Sequence, residues 1–284
     1  MAAISDYVGL KPAWCPGCGN FGILRAVNKA LVELGIEPHR VLLVSGIGQA
    51  GKLPHYTKGN VFNSLHGRPV PPAIGARIAN PELVVIAVSG DGDAYGEGGN
   101  HFMHAARRNH DITYLVHNNQ VYGLTKGQAS PTSDLGFATK TTPDGAVNPV
   151  HPLALAIVSG ASFVARGFVG DIDHLASIIG QGITHRGFSL IDICQPCVSF
   201  NHRNTYEWYR ERVYKIDGEA GYDPANKMAA LEKALEWGER IPIGIIYRQE
   251  LPVYEDGLAA LGKGPLVRQG IEPGRVEKLL AQFM

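Results

Sequence analysis

The sequence predicts a doubly wound α/β fold, with a mostly parallel sheet, helices on both faces and a C-terminal extension. Three observations predict it. Across residues 1–200, apolar runs of strand length alternate with helix-length segments. Several of these runs end in glycine-rich or oxygen-bearing turns, as strands do at the ligand crevice of an open α/β sheet. The chain has 284 residues, enough for a large buried core, and no apolar run approaches membrane-spanning length.

The elements follow in order. Residues 21–34 read as a helix, because Ile23, Leu24, Val27, Leu31 and Leu34 fall on one face. Residues 41–45 read as a short buried strand running into the turn Gly46-Ile47-Gly48. Residues 83–88 and 112–117 read as two further strands. Residues 96–109 form a helix-length segment between them, which makes a βαβ unit. The long segment 124–150 is rich in Thr, Ser, Gly and Pro and has no clear period. It follows Asn118-Asn119 directly and is read as a loop over the site. Residues 171–182 read as a helix with Asp171 or Asp173 near its cap, and 188–193 as a strand leading into Cys194. Beyond residue 201 the pattern changes to an aromatic-rich helix at 206–214, an amphipathic helix at 227–237 and a strand at 241–247. The expected division is a domain over 1–200 carrying an N-terminal cysteine segment, and an extension over 201–284 that packs on it or on a partner.

Composition narrows the function. The 26 basic and 26 acidic residues balance, so nothing favours nucleic acid as a partner. The first residues show neither a basic flank nor an apolar signal segment, so a cytoplasmic protein with no membrane attachment is expected. Cys15, Cys18, Cys194 and Cys197 form two C-x-x-C pairs. In a reducing compartment that spacing argues for metal or redox chemistry, and it leaves structural zinc and an iron–sulfur cluster both open.

Residues 90–119 carry the clearest chemistry. Gly90-Asp91-Gly92 closes one strand and Asn118-Asn119 closes the next. In a βαβ unit both ends face one crevice, so Asp91 and Asn119 can meet at one hard cation. A carboxylate, an amide oxygen and a backbone carbonyl suit Mg²⁺ completed by phosphate oxygens. Gly92 lets the backbone approach a phosphate, and the helix that follows offers its N-terminal N–H groups.

Gly-Asp-Gly, a spacer and Asn-Asn resemble the thiamine diphosphate (TPP) motif. Trp14-Cys15-Pro16-Gly17-Cys18-Gly19 adds a tight turn that aims thiolates and N–H groups at one centre. Together with VSGIG (44–48), LHGR (65–68), SGDGD (89–93), HNNQVYGLTKGQASPTS (117–133) and QPCVSFN (195–201), the chain resembles the β subunits of 2-oxoacid:ferredoxin oxidoreductases over roughly residues 10–215.

The resemblance implies a diphosphate-binding TPP fold holding TPP, Mg²⁺ and one [4Fe–4S] cluster. It implies Mg²⁺ on Asp91, Asn119 and the carbonyl of Val121. Gly48, His66, Gly90, Gly92, Asp93, Tyr122, Gly123, Leu124 and Thr125 would line the cofactor pocket. His66, Arg68 and Lys126 would act at the reacting centre, with Lys52 a weaker candidate for pairing with a substrate carboxylate. Cys15, Cys18 and Cys197 match three cluster ligands. The family's remaining cysteine, directly after Gly-Ile-Gly, is Gln49 here; Cys194 can replace it, and the alternatives are that Cys194 is a buried strand residue, that the fourth ligand is not a cysteine, or that the cluster is lost. Members of this family convert a 2-oxoacid (pyruvate or 2-oxoglutarate) and coenzyme A to acyl-CoA and CO₂, or run in reverse to fix CO₂. Their electrons pass singly to ferredoxin. The activating glutamate on the pyrimidine side would come from a larger α, or fused α–γ, subunit in a heterodimer or dimer of heterodimers. A non-redox TPP decarboxylase subunit and a zinc-stabilised non-catalytic module are the other readings open at this point.

Overall fold

The computed structural model describes residues 2–270 and 274–284. Helix α1 (Asn20–Glu33) precedes strand β1 (Val41–Ser45), followed by α2 (Leu53–Tyr56), β2 (Asn60–Asn63), α3 (Val70–Ala79), β3 (Val84–Gly90), α4 (Gly99–Arg108) and β4 (Thr113–Asn118). A small hairpin, β5 (Val121–Tyr122) and β6 (Gln128–Ala129), leads to α5 (Pro152–Ser159), β7 (Phe163–Phe168), α6 (Ile172–Thr184) and β8 (Ser189–Cys194). The remainder forms α7 (Tyr206–Arg210), β9 (Val213–Lys215), α8 (Lys227–Leu235), β10 (Ile241–Arg248) and α9 (Arg275–Leu280).

Eight strands make one sheet in the order β2-β1-β3-β4-β8-β7-β10-β9. Every neighbouring pair is parallel except β7 and β10. The two-residue period of a strand explains the two cores. Ile86, Val88, Leu115, Ile191 and Ile193 point to the face covered by α1 and α6, while Val85, Ala87, Tyr114, Val116 and Leu190 point to the face covered by α3, α4, α5 and α8. Strands buried on both sides read as continuous apolar runs, which is why they are legible in the sequence.

The connection after β1 leads out to β2 at the sheet edge, whereas the connection after β3 leads inward to β4. That reversal is a topological switch point, and the crevice outside the carboxyl ends of β1 and β3 is where such sheets bind ligands.

Two expectations are corrected. The segment before α4 begins earlier than expected, as a π-helical turn Gly92–Glu97, and α4 ends at Asn109 in the left-handed region (φ 52). The aromatic segment 206–214 is not one helix. Thr205 caps α7 through the Trp208 N–H, the helix stops at Arg210, and Val213 then pairs with Ile241 in the sheet. The segment beyond 201 adds β9 and β10 to the main sheet. Among the described residues, no helix is long and apolar enough to cross a membrane.

Candidate active site

Three strand ends build the site. β1 delivers Gly46-Ile47-Gly48, β3 delivers Asp91 and the turn after it, and β4 delivers Asn118 and Asn119. Gly48, His66, Gly90, Asp91, Gly92, Asp93, Asn119, Val121, Tyr122, Gly123, Leu124 and Thr125 all line one cleft of about 530 Å³. Gly48 has φ +111 with nothing within 4 Å of a would-be Cβ, so bare backbone faces the space. At Gly92 a Cβ would stand 2.3 Å from Tyr122 Cε1, so the close approach of turn and ring requires glycine.

Asp91 is 1% exposed. Its Oδ2 accepts hydrogen bonds from Ser130 Oγ and from Thr132 Oγ1 at 2.7 Å, while Oδ1 has only the Asn119 N–H at 3.4 Å. Burial pushes its carboxyl up to about 6, and the hydroxyl bonds offset only part of that. Among the described residues it has no basic partner within ion-pair distance. A buried carboxylate without a cation is a site that fits one. Asn119 Oδ1 accepts the Val121 N–H at 3.1 Å and keeps a second lone pair. The donor set of Asp91, Asn119 and a nearby carbonyl thus suits Mg²⁺ and a diphosphate.

Asp93 also borders the cleft, but its carboxylate is engaged below it. Oδ1 accepts the N–H groups of Ile47 (3.0 Å) and Gly67 (2.7 Å), Oδ2 accepts Ser89 Oγ (2.5 Å), and His66 Nδ1 lies 2.7 Å from Oδ1. The loops of residues 46–48 and 65–68 are tied to the turn after β3 through this one side chain. Gly46 is where its oxygens pass: a Cβ there would fall 1.8 Å from Asp93 Oδ2.

Not every candidate reaches the cleft wall. Arg68 and Lys126 are exposed, and Lys126 (φ +77) borders a separate depression with Phe137 and His202. Lys52 sits half-buried in the turn after β1, outside the cleft wall.

Cys15, Cys18 and Cys197 line a second cleft together with Gln49, Asn119 and Gly123. Cys194 does not join them. It is 1% exposed in the core that holds Phe168 and Tyr209, and burial pushes its thiol up to about 12. The reason is register: Cys194 ends β8, paired with Phe168 and Asn118, and its side chain belongs to the sheet core. Cys18 is also pushed up, to about 11, by burial. Among the described residues, no three His, Cys, Asp or Glu side chains are placed to hold a single metal ion.

Several partners of the site escaped the sequence reading. Ser130 and Thr132 hold Asp91, Asn201 Nδ2 donates to the Asn119 carbonyl at 3.1 Å, and Glu97 receives the Tyr122 hydroxyl. The cluster of hydroxyls in Ser130-Pro131-Thr132-Ser133 was the available signal. Nothing in a single sequence says that it folds back about 40 residues onto a carboxylate.

A Gly-Asp-Gly turn and an Asn-Asn turn at adjacent parallel strand ends, over a buried unpaired carboxylate, define a thiamine diphosphate-binding enzyme domain. The family "Thiamine pyrophosphate enzyme, C-terminal TPP binding domain" matches residues 46–193. A second family, the C-terminal part of the pyruvate ferredoxin oxidoreductase beta chain, matches residues 197–263. The chain is 51% identical over 259 residues to the 2-oxoacid:ferredoxin oxidoreductase subunit beta of Saccharolobus solfataricus, covering 87% of this chain and 85% of that one. It is 42% identical to the 2-oxoglutarate oxidoreductase subunit KorB of Mycobacterium tuberculosis, over 72% of this chain and 56% of that one. Among solved structures it resembles a 2-oxoglutarate:ferredoxin oxidoreductase from Magnetococcus marinus with 2-oxoglutarate, coenzyme A and succinyl-CoA bound. That match has a TM-score of 0.90 and 36% identity, and covers 98% of this chain and 96% of that one. The chain belongs to the family of 2-oxoacid:ferredoxin oxidoreductase beta subunits.

Proposed function

We propose that this beta subunit holds thiamine diphosphate through Mg²⁺ together with one [4Fe–4S] cluster. With a larger subunit it oxidatively decarboxylates a 2-oxoacid in the presence of coenzyme A, giving acyl-CoA and CO₂. Electrons leave singly for ferredoxin, and in reverse the same site fixes CO₂. One observation carries the reading: Gln49, Asn119 and Gly123 line both the cofactor cleft and the cysteine cleft, so the two centres share a wall.

Asp91, Asn119 and the Val121 carbonyl would hold Mg²⁺, and Gly90 and Gly92 leave room for the diphosphate beside them. His66, steadied at Nδ1 by Asp93, presents its other nitrogen for a hydrogen bond to a phosphate or carboxylate. Tyr122, Gly123, Leu124 and Thr125 close one side of the cleft. Cys15, Cys18 and Cys197 would carry the cluster. When bound, thiamine diphosphate supplies the carbanion chemistry of decarboxylation and the cluster accepts electrons one at a time. Arg68, Lys126 and Lys52 stand outside the cleft wall, where they can meet the carboxylate of a substrate entering from the partner side.

The activating glutamate and most contacts that choose among 2-oxoacids belong to the larger subunit, in a heterodimer or dimer of heterodimers. Pyruvate and 2-oxoglutarate are the first substrates to test, since both appear in the names of similar proteins. A cytoplasmic site of action suits soluble ferredoxin. A non-redox decarboxylase would have no use for three thiols facing one cleft.

The test is anaerobic co-purification with the larger subunit, iron and acid-labile sulfide analysis, and viologen reduction across a panel of 2-oxoacids with and without coenzyme A. Full activity in iron-free protein would remove the redox reading.

A further inference from the structure

We propose that Gln49 fills the fourth corner of the cysteine cleft, its side-chain amide oxygen meeting the one iron that Cys15, Cys18 and Cys197 leave without a protein sulfur. This assignment presupposes the cluster proposed above and specifies its ligand shell.

A four-iron cluster presents four irons to its protein. Three thiols line the cleft, and the fourth cysteine of the chain is buried in the sheet core and absent from the cleft wall. Gln49 is on that wall. Its Oε1 is sealed from solvent and accepts no hydrogen bond among the described residues. An amide oxygen left in that state costs about 1–3 kcal/mol, so the position calls for a partner that the polypeptide does not supply. The Gln49 loop is also fixed to the cysteine turn. Its backbone carbonyl accepts the indole N–H of Trp14 at 2.9 Å, and Trp14 directly precedes Cys15. From the point a Cβ on Gly123 would occupy, Cys197 Sγ lies 3.9 Å away and Gln49 Cγ 4.0 Å. Thiol and amide side chain therefore approach the same place from two loops.

Gln195 is the rival, because its Oε1 also lacks a partner. Its position argues for another role. Its Nε2 donates to Cys18 Sγ at 3.6 Å and to the Pro196 carbonyl at 3.3 Å, and its Cγ presses on Gly19, 2.5 Å from where a Cβ would stand. Gln195 is thus a donor behind Cys18, of the kind that tunes a cluster sulfur. Gln49 lies across the cleft beside Cys197. A neutral oxygen in place of a thiolate removes one negative charge from the shell, which raises the reduction potential and makes that iron the one most easily lost.

The experiment uses the anaerobically purified complex with its larger subunit, as wild type and as Gln49→Ala, Gln49→Cys and Gln195→Ala. Iron, acid-labile sulfide and EPR spectra are recorded before and after mild ferricyanide oxidation. Wild type should release about one iron per cluster and gain the narrow signal of a three-iron cluster. Gln49→Cys should retain that iron, and Gln49→Ala should alter the spectrum of the reduced cluster, while Gln195→Ala leaves the iron loss as it is in wild type. A Gln49→Ala spectrum identical to wild type overturns the assignment, as does a Gln49→Cys protein that loses iron as readily as wild type. Iron and sulfide absent from wild type would instead overturn the cluster itself.

Discussion

His66 Nδ1 stands 2.7 Å from Asp93 Oδ1, with the carboxylate almost wholly buried and the imidazole 41% exposed. The same carboxylate accepts two backbone N–H groups from two loops and the hydroxyl of Ser89 on β3. Asp93 therefore holds the site together from below, and His66 is the part of that arrangement open to a ligand. Asp93→Ala leaves the Ser89 hydroxyl, the buried Gly67 N–H and the part-buried Ile47 N–H without an acceptor, and should cost about 3 kcal/mol. His66→Ala should melt close to wild type while binding thiamine diphosphate about tenfold more weakly, a loss of one hydrogen bond to a charged group. Thermal melts paired with calorimetric titration of the cofactor separate the two. Equal destabilisation in both variants would dissolve the distinction.

Mg²⁺ binding should depend on pH through Asp91. Its folded pKa of about 6 lies above the usual carboxylate value because of burial. In metal-free protein the group therefore favours the fold fully at low pH, below its unfolded value. That contribution is lost as pH rises through about 6. Mg²⁺ binds the ionised form, so its affinity should climb with pH until about 6, flatten above, and release protons below. Calorimetry in buffers of different ionisation enthalpy measures that release. Asp91→Asn should abolish the pH dependence, stabilise the metal-free protein near neutral pH and lose Mg²⁺-dependent cofactor binding. A metal affinity that is flat from about pH 5 to about pH 8 would contradict the assignment.

Gly92 allows a sharper test of the cleft wall. A methyl group there meets the Tyr122 ring, whose hydroxyl is held by Glu97, so the ring must swing away from the cleft. Gly92→Ala should cost only about 1–3 kcal/mol in stability, because Tyr122 is half-exposed and free to move. Cofactor affinity should also fall, about tenfold or more (about 1.4 kcal/mol), since the wall of the site moves with the ring. Combining it with Tyr122→Ala should recover stability. Strict additivity of the two stability losses would show that ring and turn do not collide.

What the sequence made legible follows from what each residue does. Strands buried on both faces need unbroken apolar runs, so β1, β3, β4 and β8 were readable, and their polar ends located the crevice. Asp91 and Asn119 were readable because hard-cation chemistry demands their oxygens at adjacent strand ends. The helices at Val70–Ala79 and Pro152–Ser159 were not, because prolines at their starts and glycine or small residues within them blur the period. The placement of Cys194 was not either: one C-x-x-C spacing serves a cleft or a core equally well, and only the register of β8 decides which. Asp93 reads as a site residue in the linear motif, yet its bonds run to loops 26 and 46 positions away, which no local pattern encodes.

Beyond the pairing of β10 with β7, one guanidinium ties the extension past residue 201 to the sheet. Arg166, on β7 and 3% exposed, donates to the carbonyls of Ala234 at 3.0 Å, Pro242 at 3.2 Å and Glu236 at 3.3 Å, and lies 5.4 Å from the Trp237 ring centre. Two of those carbonyls lie at the C-terminal end of α8, where the helix leaves them without partners of its own. The third begins β10, the strand that reverses the direction of the sheet. Arg166→Met keeps the apolar stem against Trp237 but leaves three carbonyls undonated, and removes the positive charge that offsets part of the rise burial imposes on the Asp192 carboxyl. The variant should lose about 3 kcal/mol in denaturant unfolding. The loss should be local: amide exchange should quicken in α8 and β10 while α1 and β3 stay protected. Exchange that rises evenly across the whole sheet would mean that the extension folds as one unit with the domain, and that Arg166 supports every strand equally.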